Sequence, residues 1–264
     1  MVLADALGRV HLPCDGVPRI VSLVPSLTEL VCDLGLAANL VGRTGFCVHP
    51  REVLRGVPKV GGTKDVKLDV LRRLAPTHVI ADIDENRRDA VEEIAGFVPH
   101  VVVVHPRQLD DNLGLYALFG SVFRREHDAD RLARDFAAAR AELAAVAAAL
   151  PREEVLYPIW RDPWMTIGRE TYIAAMLSAA GWDTLPVATA ARYPCFEWNA
   201  PWLAGARRIL LPSEPYAFTA VDETDVARLS DRPVSRIDGE MVSWYGSRAV
   251  PGLRYLANLR RQLA

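Results

Sequence analysis

Apolar and polar positions alternate along this chain in a pattern that predicts short buried strands, each followed by an amphipathic helix. Residues 19–24 form a β-branched run that predicts a strand. The Pro-Ser-Leu-Thr-Glu that follows predicts a helix in which Ser26 and Glu29 form a capping box. Further strands are predicted at residues 40–43, 78–82 and 100–105. The last of these runs is apolar almost throughout, as expected for a strand buried on both faces of a parallel sheet.

An alanine-rich stretch at residues 128–150 divides the chain in two. It contains neither glycine nor proline and is followed by Pro151, so it predicts one long helix whose first turn is capped by Asp128. Its apolar side chains recur at intervals of three and four residues, which places them on one stripe. The residues of this stripe are Leu132, Phe136, Ala139, Leu143, Val146 and Leu150.

The strand and helix pattern starts again after the long helix. Strands are predicted at residues 154–160, 207–212 and 233–237, and helices at 172–180, at 222–229 and at the C-terminus. The chain is therefore predicted to be an α/β protein with two Rossmann-like lobes joined by a rigid helix. The predicted ranges are 1–125, 126–151 and 152–264. Because the helix lacks a weak point, we expect the lobes to move little.

Composition and charge narrow the functional classes. The 264 residues include 31 Lys and Arg against 33 Asp and Glu, so the net charge of -2 gives no electrostatic footprint for nucleic acid. The first residues lack the basic and apolar regions of a signal peptide. A cytoplasmic location is expected for the chain as written, and a periplasmic one if a leader has been removed. The four cysteines show no CxxC spacing, so free thiols are expected.

All six tryptophans follow residue 159, and most lie at predicted strand ends or in loops. Aromatic side chains in loops suit a planar or ring-bearing ligand, because they offer a large flat contact area. The alternative is that these loops pack on their own hydrophobic cluster. Trp182 and Trp202 are expected in the core. The ligand-binding candidates are Trp160, Trp164, Tyr193, Phe196, Trp198, Trp244 and Tyr245.

The loop containing Cys47 and His49 holds the most reactive pair of side chains in the first half. The two residues suit either a soft metal or a thiolate–imidazole couple, but a metal site needs three or four ligands and none lies nearby in sequence. Structural or cleft-lining roles remain open for both. The nearby Gly-Gly-Thr-Lys lacks a phosphate-binding motif and is expected to allow a close backbone approach. The first-half ligand-binding candidates are Ser26, Thr28, Phe46, Cys47, His49, Gly62 and Thr63.

Four segments together resemble a known family. RIVSLVPSLTEL with the following DLGL, VGRTGFCVHP, PKVGGTKDVKLDVLRRLAPTHVIA and the long helix look like the helical-backbone substrate-binding proteins of cobalamin and iron-siderophore ABC importers. IWRDPWM and SWYG are similar to a cobalamin-binding-like branch. The resemblance implies the class III periplasmic-binding-protein fold, with a metal-chelate ligand such as cobalamin held between two lobes.

The resemblance also implies how such a protein acts. It would be a monomer without catalytic activity, intrinsic cofactor or bound metal of its own. Glu85 and Glu214 match surface glutamates, one on each lobe, that dock onto an ABC permease. A cytosolic paralogue that binds a corrinoid is compatible with the same residues. Two alternatives stay open, a metal-ion carrier of similar architecture and a thiol enzyme that uses Cys47 and His49.

Overall fold

The computed structural model describes residues 3–264, which form two compact units. The first unit comprises the chain up to Pro106 together with Asp110–Asp135 and Tyr245–Arg248. The second comprises Arg107–Leu109, Phe136–Trp244 and Ala249–Ala264. Compared with the predicted ranges, the long helix is shared between the units, and a short segment from late in the sequence belongs to the first.

The first unit is built on a parallel four-stranded sheet in the order β2-β1-β3-β4. Its strands are β1 (Ile20–Ser22), β2 (Leu40–Arg43), β3 (His78–Asp82) and β4 (His100–Val104). Its helices are α1 (Pro25–Val31), α2 (Arg51–Leu54), α3 (Leu68–Leu74), α4 (Arg88–Ala95) and α5 (Asp111–Phe123), followed by α6 (Glu126–Ala148), which continues into the second unit. The strands predicted at residues 40–43 and 78–82 are confirmed at both ends.

The start of α1 differs from the sequence prediction. Pro25 occupies the first helical turn, where its missing N–H costs nothing, and Val24 becomes the N-cap residue. No side chain caps this helix, and Ser26 lies inside it, so the predicted capping box of Ser26 and Glu29 is wrong. The first strand is correspondingly shorter than predicted, because the chain turns into the helix directly after Leu23.

The long helix α6 is confirmed as one continuous helix, displaced by two residues from its predicted bounds. It begins at Glu126, so Asp128 lies within the first turn and is not the cap. The predicted stripe is buried along the helix, and only Leu150, beyond the helix end, is half-buried. The helix therefore buries one face and leaves mostly alanine and charged residues on the other.

The second unit repeats the arrangement of the first, with a parallel sheet in the order β6-β5-β7-β8. Its strands are β5 (Glu153–Leu156), β6 (Trp182–Thr184), β7 (Arg208–Pro212) and β8 (Val234–Ile237). Its own helices are α7 (Tyr172–Ala179), α8 (Ala220–Ser230), α9 (Glu240–Ser243) and α10 (Ala249–Gln262). Numbered within each unit, both sheets have the order 2-1-3-4.

Two features of the second unit were not predicted. β6 was not identified, and its first residue, Trp182, is fully buried, as expected for a core tryptophan. The strand predicted at 154–160 ends at Leu156, because the chain then forms a short hairpin in which Trp160 pairs with Met165. Among residues 3–264, no helix is both long enough and apolar enough to cross a bilayer.

Candidate functional site

Cys47 lies in a buried hydrogen-bonded group behind the carboxyl end of the first sheet. Its side chain is 0% exposed, and its Sγ lies 3.0 Å from Thr28 Oγ1 and 3.1 Å from Thr44 Oγ1. Burial raises the pKa of the Cys47 thiol, and the hydrogen bonds from the two threonines only partly oppose this change. A buried neutral thiol is a poor nucleophile, so the geometry favours the structural interpretation of Cys47.

Arg43, at the end of β2, fixes the loop that carries three of the predicted site residues. Its guanidinium is buried and donates to the carbonyl oxygens of Thr44, Cys47 and Leu54, each at 3.1 Å. The loop is thereby held while Phe46 stays 63% exposed and His49 is half-buried. Arg43 was not among the predicted site residues, although an arginine as the last residue of an otherwise apolar strand was a signal for such a role.

The Gly61-Gly62-Thr63 turn is tied to the same loop. Gly61 has a φ of 106°, and a Cβ there would lie 2.2 Å from the Asp65 carbonyl oxygen, so only glycine fits. Its carbonyl accepts from the N–H of Gly45 at 2.7 Å. A Cβ on Gly62 would lie 3.4 Å from the Phe46 ring, so that ring approaches bare backbone. Within the first unit, the group that approaches this backbone is the Phe46 ring, and a close approach by ligand stays a prediction.

The segment Tyr245–Arg248 belongs to the first unit, where its Tyr245 meets another predicted site residue, Ser26. The Tyr245 phenol interacts with Ser26 and with the buried Asp82, and burial, with smaller contributions from the carboxylates of Asp82 and Glu85, raises the pKa of Tyr245 well above its ordinary value. Arg248 forms a bidentate ion pair with Glu29, both distances being 2.7 Å. The structure thus brings Ser26 and Tyr245 together, which sequence proximity alone did not indicate.

The predicted docking residues lie in different surroundings. Glu85 is half-buried in the turn before α4, and its backbone N–H donates to the Asp82 carboxylate at 3.1 Å. Glu214 accepts from Trp244 Nε1 at 2.6 Å and from Ser243 Oγ at 2.5 Å, and burial raises its pKa. Glu214 is thus half-buried, with its carboxylate held by the Trp244 indole and the Ser243 hydroxyl. The docking roles of both glutamates stay predictions.

Three of the predicted aromatic residues in the second unit pack in its hydrophobic core or against it, Phe196 as a buried member and Trp164 and Trp198 as partly buried neighbours. The Trp164 ring stacks on Phe218 at 6.1 Å with an interplanar angle of 4° and meets Trp198 edge-on at 5.1 Å. Phe196 lies 5.3 Å from Trp198 and is itself buried. These contacts favour the alternative that the loops pack on their own cluster. A ligand-binding role for these three residues remains a prediction. The same holds for Trp244, whose indole N–H donates to Glu214.

Two aromatic side chains at this end of the second unit are exposed. Trp160 follows β5, is 44% exposed and meets Tyr216 edge-on at 5.5 Å. Tyr193 is exposed to a similar degree and lies beneath the Arg192 guanidinium, 6.0 Å from ring centroid to Cζ. Tyr216 was missed, since its spacing in sequence gives no sign that it pairs with Trp160. Exposed aromatic faces at strand ends suit contact with a flat ligand.

The described residues offer no metal centre of their own. Within residues 3–264, no three His, Cys, Asp or Glu side chains lie close enough together to hold a metal ion. His78 and His100 do meet, and their rings stack at 4.7 Å, but at the amino ends of β3 and β4, away from the loops described above. Cys47 and His49 lie on the same loop, but the Cys47 thiol is hydrogen-bonded to Thr28 and Thr44.

Comparison with known proteins agrees with this architecture. Residues 20–192 match the family described as periplasmic binding protein, which is about two thirds of the chain. The chain therefore belongs to the periplasmic binding protein family. A curated relative, the vitamin B12-binding protein of Pectobacterium carotovorum subsp. carotovorum (strain PC1), is 25% identical over 118 residues. That match spans 45% of this chain and only 42% of the relative.

Two solved structures share the fold along almost the whole chain. The periplasmic heme-binding protein RhuT from Roseiflexus sp. RS-1, in apo form, has a TM-score of 0.80 and 21% identity, covering 94% of this chain and 99% of its own. The periplasmic vitamin B12 binding protein BtuF of Vibrio cholerae has a TM-score of 0.77 and 16% identity, covering 93% and 97%. The fold of two α/β units that share a long helix is therefore the class III periplasmic-binding-protein fold.

Proposed function

We propose that this protein binds a cobalamin-like or other tetrapyrrole-type metal chelate and does not change it chemically. The observation that carries the proposal is that each unit, taken by itself, exposes aromatic side chains on loops that follow its strands, with Phe46 in the first unit and Trp160 and Tyr193 in the second. A macrocycle presents broad apolar faces, so rings of this kind gain buried area at little cost in side-chain entropy.

The similar proteins support the same class of ligand. The curated relative is named for vitamin B12, and the two solved structures are named for heme and vitamin B12. Because these names differ, we keep the proposal at the shared chemistry of a large planar macrocycle around a metal. The metal belongs to the ligand, and the protein contributes the apolar contact surface.

The test is a binding screen with visible chromophores. We would mix the purified protein with cyanocobalamin, hemin and a ferric siderophore, record absorption spectra, and separate bound from free ligand by gel filtration. We expect cyanocobalamin or hemin to co-elute with the protein in a 1:1 ratio and to be recovered unchanged. If neither cyanocobalamin nor hemin co-elutes, whether or not the ferric siderophore does, the proposed ligand class is wrong.

The thiol-enzyme alternative makes an opposite prediction for Cys47. An enzyme that uses this thiol would lose turnover in Cys47→Ala, whereas a binding protein would still form its complex. The buried position of Cys47 and its two threonine partners support the binding function. Recovery of a chemically altered ligand from the wild-type protein, but not from Cys47→Ala, would contradict our proposal.

We further propose that the protein is a monomer that delivers its ligand to an ABC permease, with Glu85 as a docking residue. The family's name supports the periplasmic alternative for its location, and cell fractionation would test it. A tagged protein should co-purify with a membrane transporter, and Glu85→Arg should abolish this. Glu92→Arg is the matched control, since Glu92 is an exposed acid on α4 that pairs with Arg88. Equal co-purification of all three proteins would contradict the docking role.

A further inference from the structure

Arg161 fastens the hairpin that carries Trp160 to helix α8. Its Nη1 lies 2.5 Å from Asp222 Oδ1, and its Nη2 lies 3.2 Å from Asp225 Oδ2. The guanidinium also lies over the Trp164 ring, at 5.5 Å from the centroid. One side chain therefore joins the hairpin to two carboxylates of α8 and also lies against the Trp164 ring, which belongs to the turn of the same hairpin.

The carboxylate anchor is itself held in place. Asp222 is buried, and its Oδ2 accepts from the backbone N–H and from the hydroxyl of Thr219, both at 2.8 Å, as part of the capping box of α8. Its other oxygen, Oδ1, accepts a hydrogen bond from Arg161 Nη1. The two oxygens thus have separate partners, so the position of Arg161 is set by the start of a capped helix.

The other side of the hairpin is fixed by its backbone. The Ile159 N–H donates to the Met165 carbonyl at 2.9 Å, and the Phe196 N–H donates to the Trp164 carbonyl at 3.0 Å. These bonds, together with the one from the Met165 N–H to the Trp160 carbonyl at 3.2 Å, pair the two strands of the hairpin and tie its turn to Phe196. The side nearest α8 is held by Arg161, which is the immediate neighbour of the exposed Trp160.

We propose that Arg161 is a positioning residue for ligand binding, acting through Trp160 and not by contact with the ligand. This inference rests on the proposed function. A mobile hairpin must become ordered when ligand binds, at about 0.5–1.5 kcal/mol for each immobilised side chain, which corresponds to a loss of roughly two- to twelvefold in affinity. The ion pairs of Arg161 remove this cost by ordering the hairpin in advance.

The test compares four variants with cyanocobalamin and hemin as probes. Arg161→Gln should weaken binding of the probe that the wild-type protein binds by about tenfold, and Asp225→Asn should weaken it less. The double variant should lose less than the product of the two single losses, because both changes remove one interaction. Arg236→Gln is the matched control, since Arg236 pairs with Glu223 of α8 at 3.0 Å and does not touch the hairpin. It should bind as the wild type does.

A second readout needs no ligand. With fluorotryptophan incorporated, the resonance of Trp160 can be assigned by its loss in Trp160→Phe. The width of this resonance should report increased mobility in Arg161→Gln but not in Arg236→Gln. Full affinity in Arg161→Gln would overturn the positioning role. It would also be overturned if Arg161→Gln loses affinity, Asp225→Asn does not, and the double variant loses only the sum of the two single changes in binding free energy. An unchanged Trp160 resonance in Arg161→Gln would also overturn it. Absence of binding by the wild type, with a mobile Trp160 in Arg161→Gln, would instead defeat the proposed function.

Discussion

The two units share a sheet order but stabilise the ends of their sheets with different chemistry. At the carboxyl ends, the first unit uses buried polar groups such as Arg43 and Asp82, which bind backbone atoms, whereas the second uses a cluster of aromatic rings around Trp164. At the amino ends, the first unit has the stacked pair His78 and His100, and the second has an arginine–glutamate network.

This difference shows which features the fold requires and which it leaves free. Parallel strands with helical connections are common to both units, so alternating apolar and amphipathic segments are sufficient to define the frame. The two units do not share the side chains at the ends of their sheets. These side chains determine which loops are rigid and which residues stay exposed. The candidate site is consequently a property of the loops.

The largest expected effect concerns the amino end of the second sheet. Glu153 lies 3.3 Å from Arg260 Nη1, accepts from Trp182 Nε1 at 3.2 Å, and lies 3.7 Å from Arg208 Nε. Arg260 is only 1% exposed, so Glu153→Ala leaves a buried charge without its partner and should cost about 3–5 kcal/mol of unfolding free energy.

Urea unfolding followed by tryptophan fluorescence would measure this cost, because all six tryptophans lie in the second unit. Glu142→Ala is the control. Glu142 pairs with Arg254 at 3.8 Å, and since both side chains are well exposed, its loss should cost less than about 1 kcal/mol. Equal effects of the two substitutions would show that the buried network does not stabilise the unit.

The first unit should instead be sensitive to acid. Burial lowers the pKa of His78 to about 4, with smaller contributions from His100 and His11. Because this folded pKa lies below the ordinary value of 6.5, the unfolded chain binds the proton first, and stability is lost as the pH falls from about 6.5 to about 4. The full loss is roughly 3 kcal/mol.

Urea unfolding by far-UV circular dichroism at pH 7 and pH 4 would measure the loss, with His78→Gln as the comparison. The glutamine variant should lose less stability over this range than the wild type, by about the same 3 kcal/mol. If both proteins lose stability equally between the two pH values, His78 is not the group responsible.

A smaller effect is expected at the carboxyl end of the second sheet. Glu214→Ala leaves the Trp244 indole N–H and the Ser243 hydroxyl without their acceptor, at a cost of about 1–3 kcal/mol. Thermal unfolding should show a lower midpoint, and Glu214→Gln should recover part of it by retaining one acceptor oxygen. A midpoint that is unchanged in the alanine variant would return Glu214 to the role of a surface carboxylate.

The smallest effect should follow Cys47→Ser, because serine keeps the hydrogen-bonding pattern with Thr28 and Thr44. We expect a change in unfolding free energy of less than about 1.5 kcal/mol and no change in ligand affinity. In the folded protein, a maleimide reagent followed by peptide mapping should label the exposed Cys195 and leave Cys47 unmodified. Rapid labelling of Cys47 would contradict its buried, neutral state.

Much of the frame was predictable from the sequence, because long periodic segments and compact apolar runs carry a strong signal. β2, β3 and the buried stripe of α6 were predicted correctly. β6 was missed because three residues are too few to show a period. The α1 capping box failed because Pro25 starts that helix two residues earlier than the Ser and Glu pattern indicates.

The site was less predictable, since its contacts join residues far apart in sequence. Tyr245 was assigned to the second lobe by its position in the chain, yet it packs in the first unit beside Ser26 and Asp82. The aromatic loops were identified, but no local pattern separates Trp160, which is exposed, from Trp164, which is partly buried against the core. Only the fold shows which ring remains available to a ligand.

The most direct test of the assigned site is amide hydrogen exchange with and without the chelate that co-elutes in the binding screen. We predict that ligand slows exchange in residues 44–50 and 159–165, which are the loops at the carboxyl ends of β2 and β5. We predict no change at the amino ends, around His78 and Glu153. Ligand-dependent protection at those amino ends, or none in either loop despite stoichiometric binding, would contradict the assignment of the site.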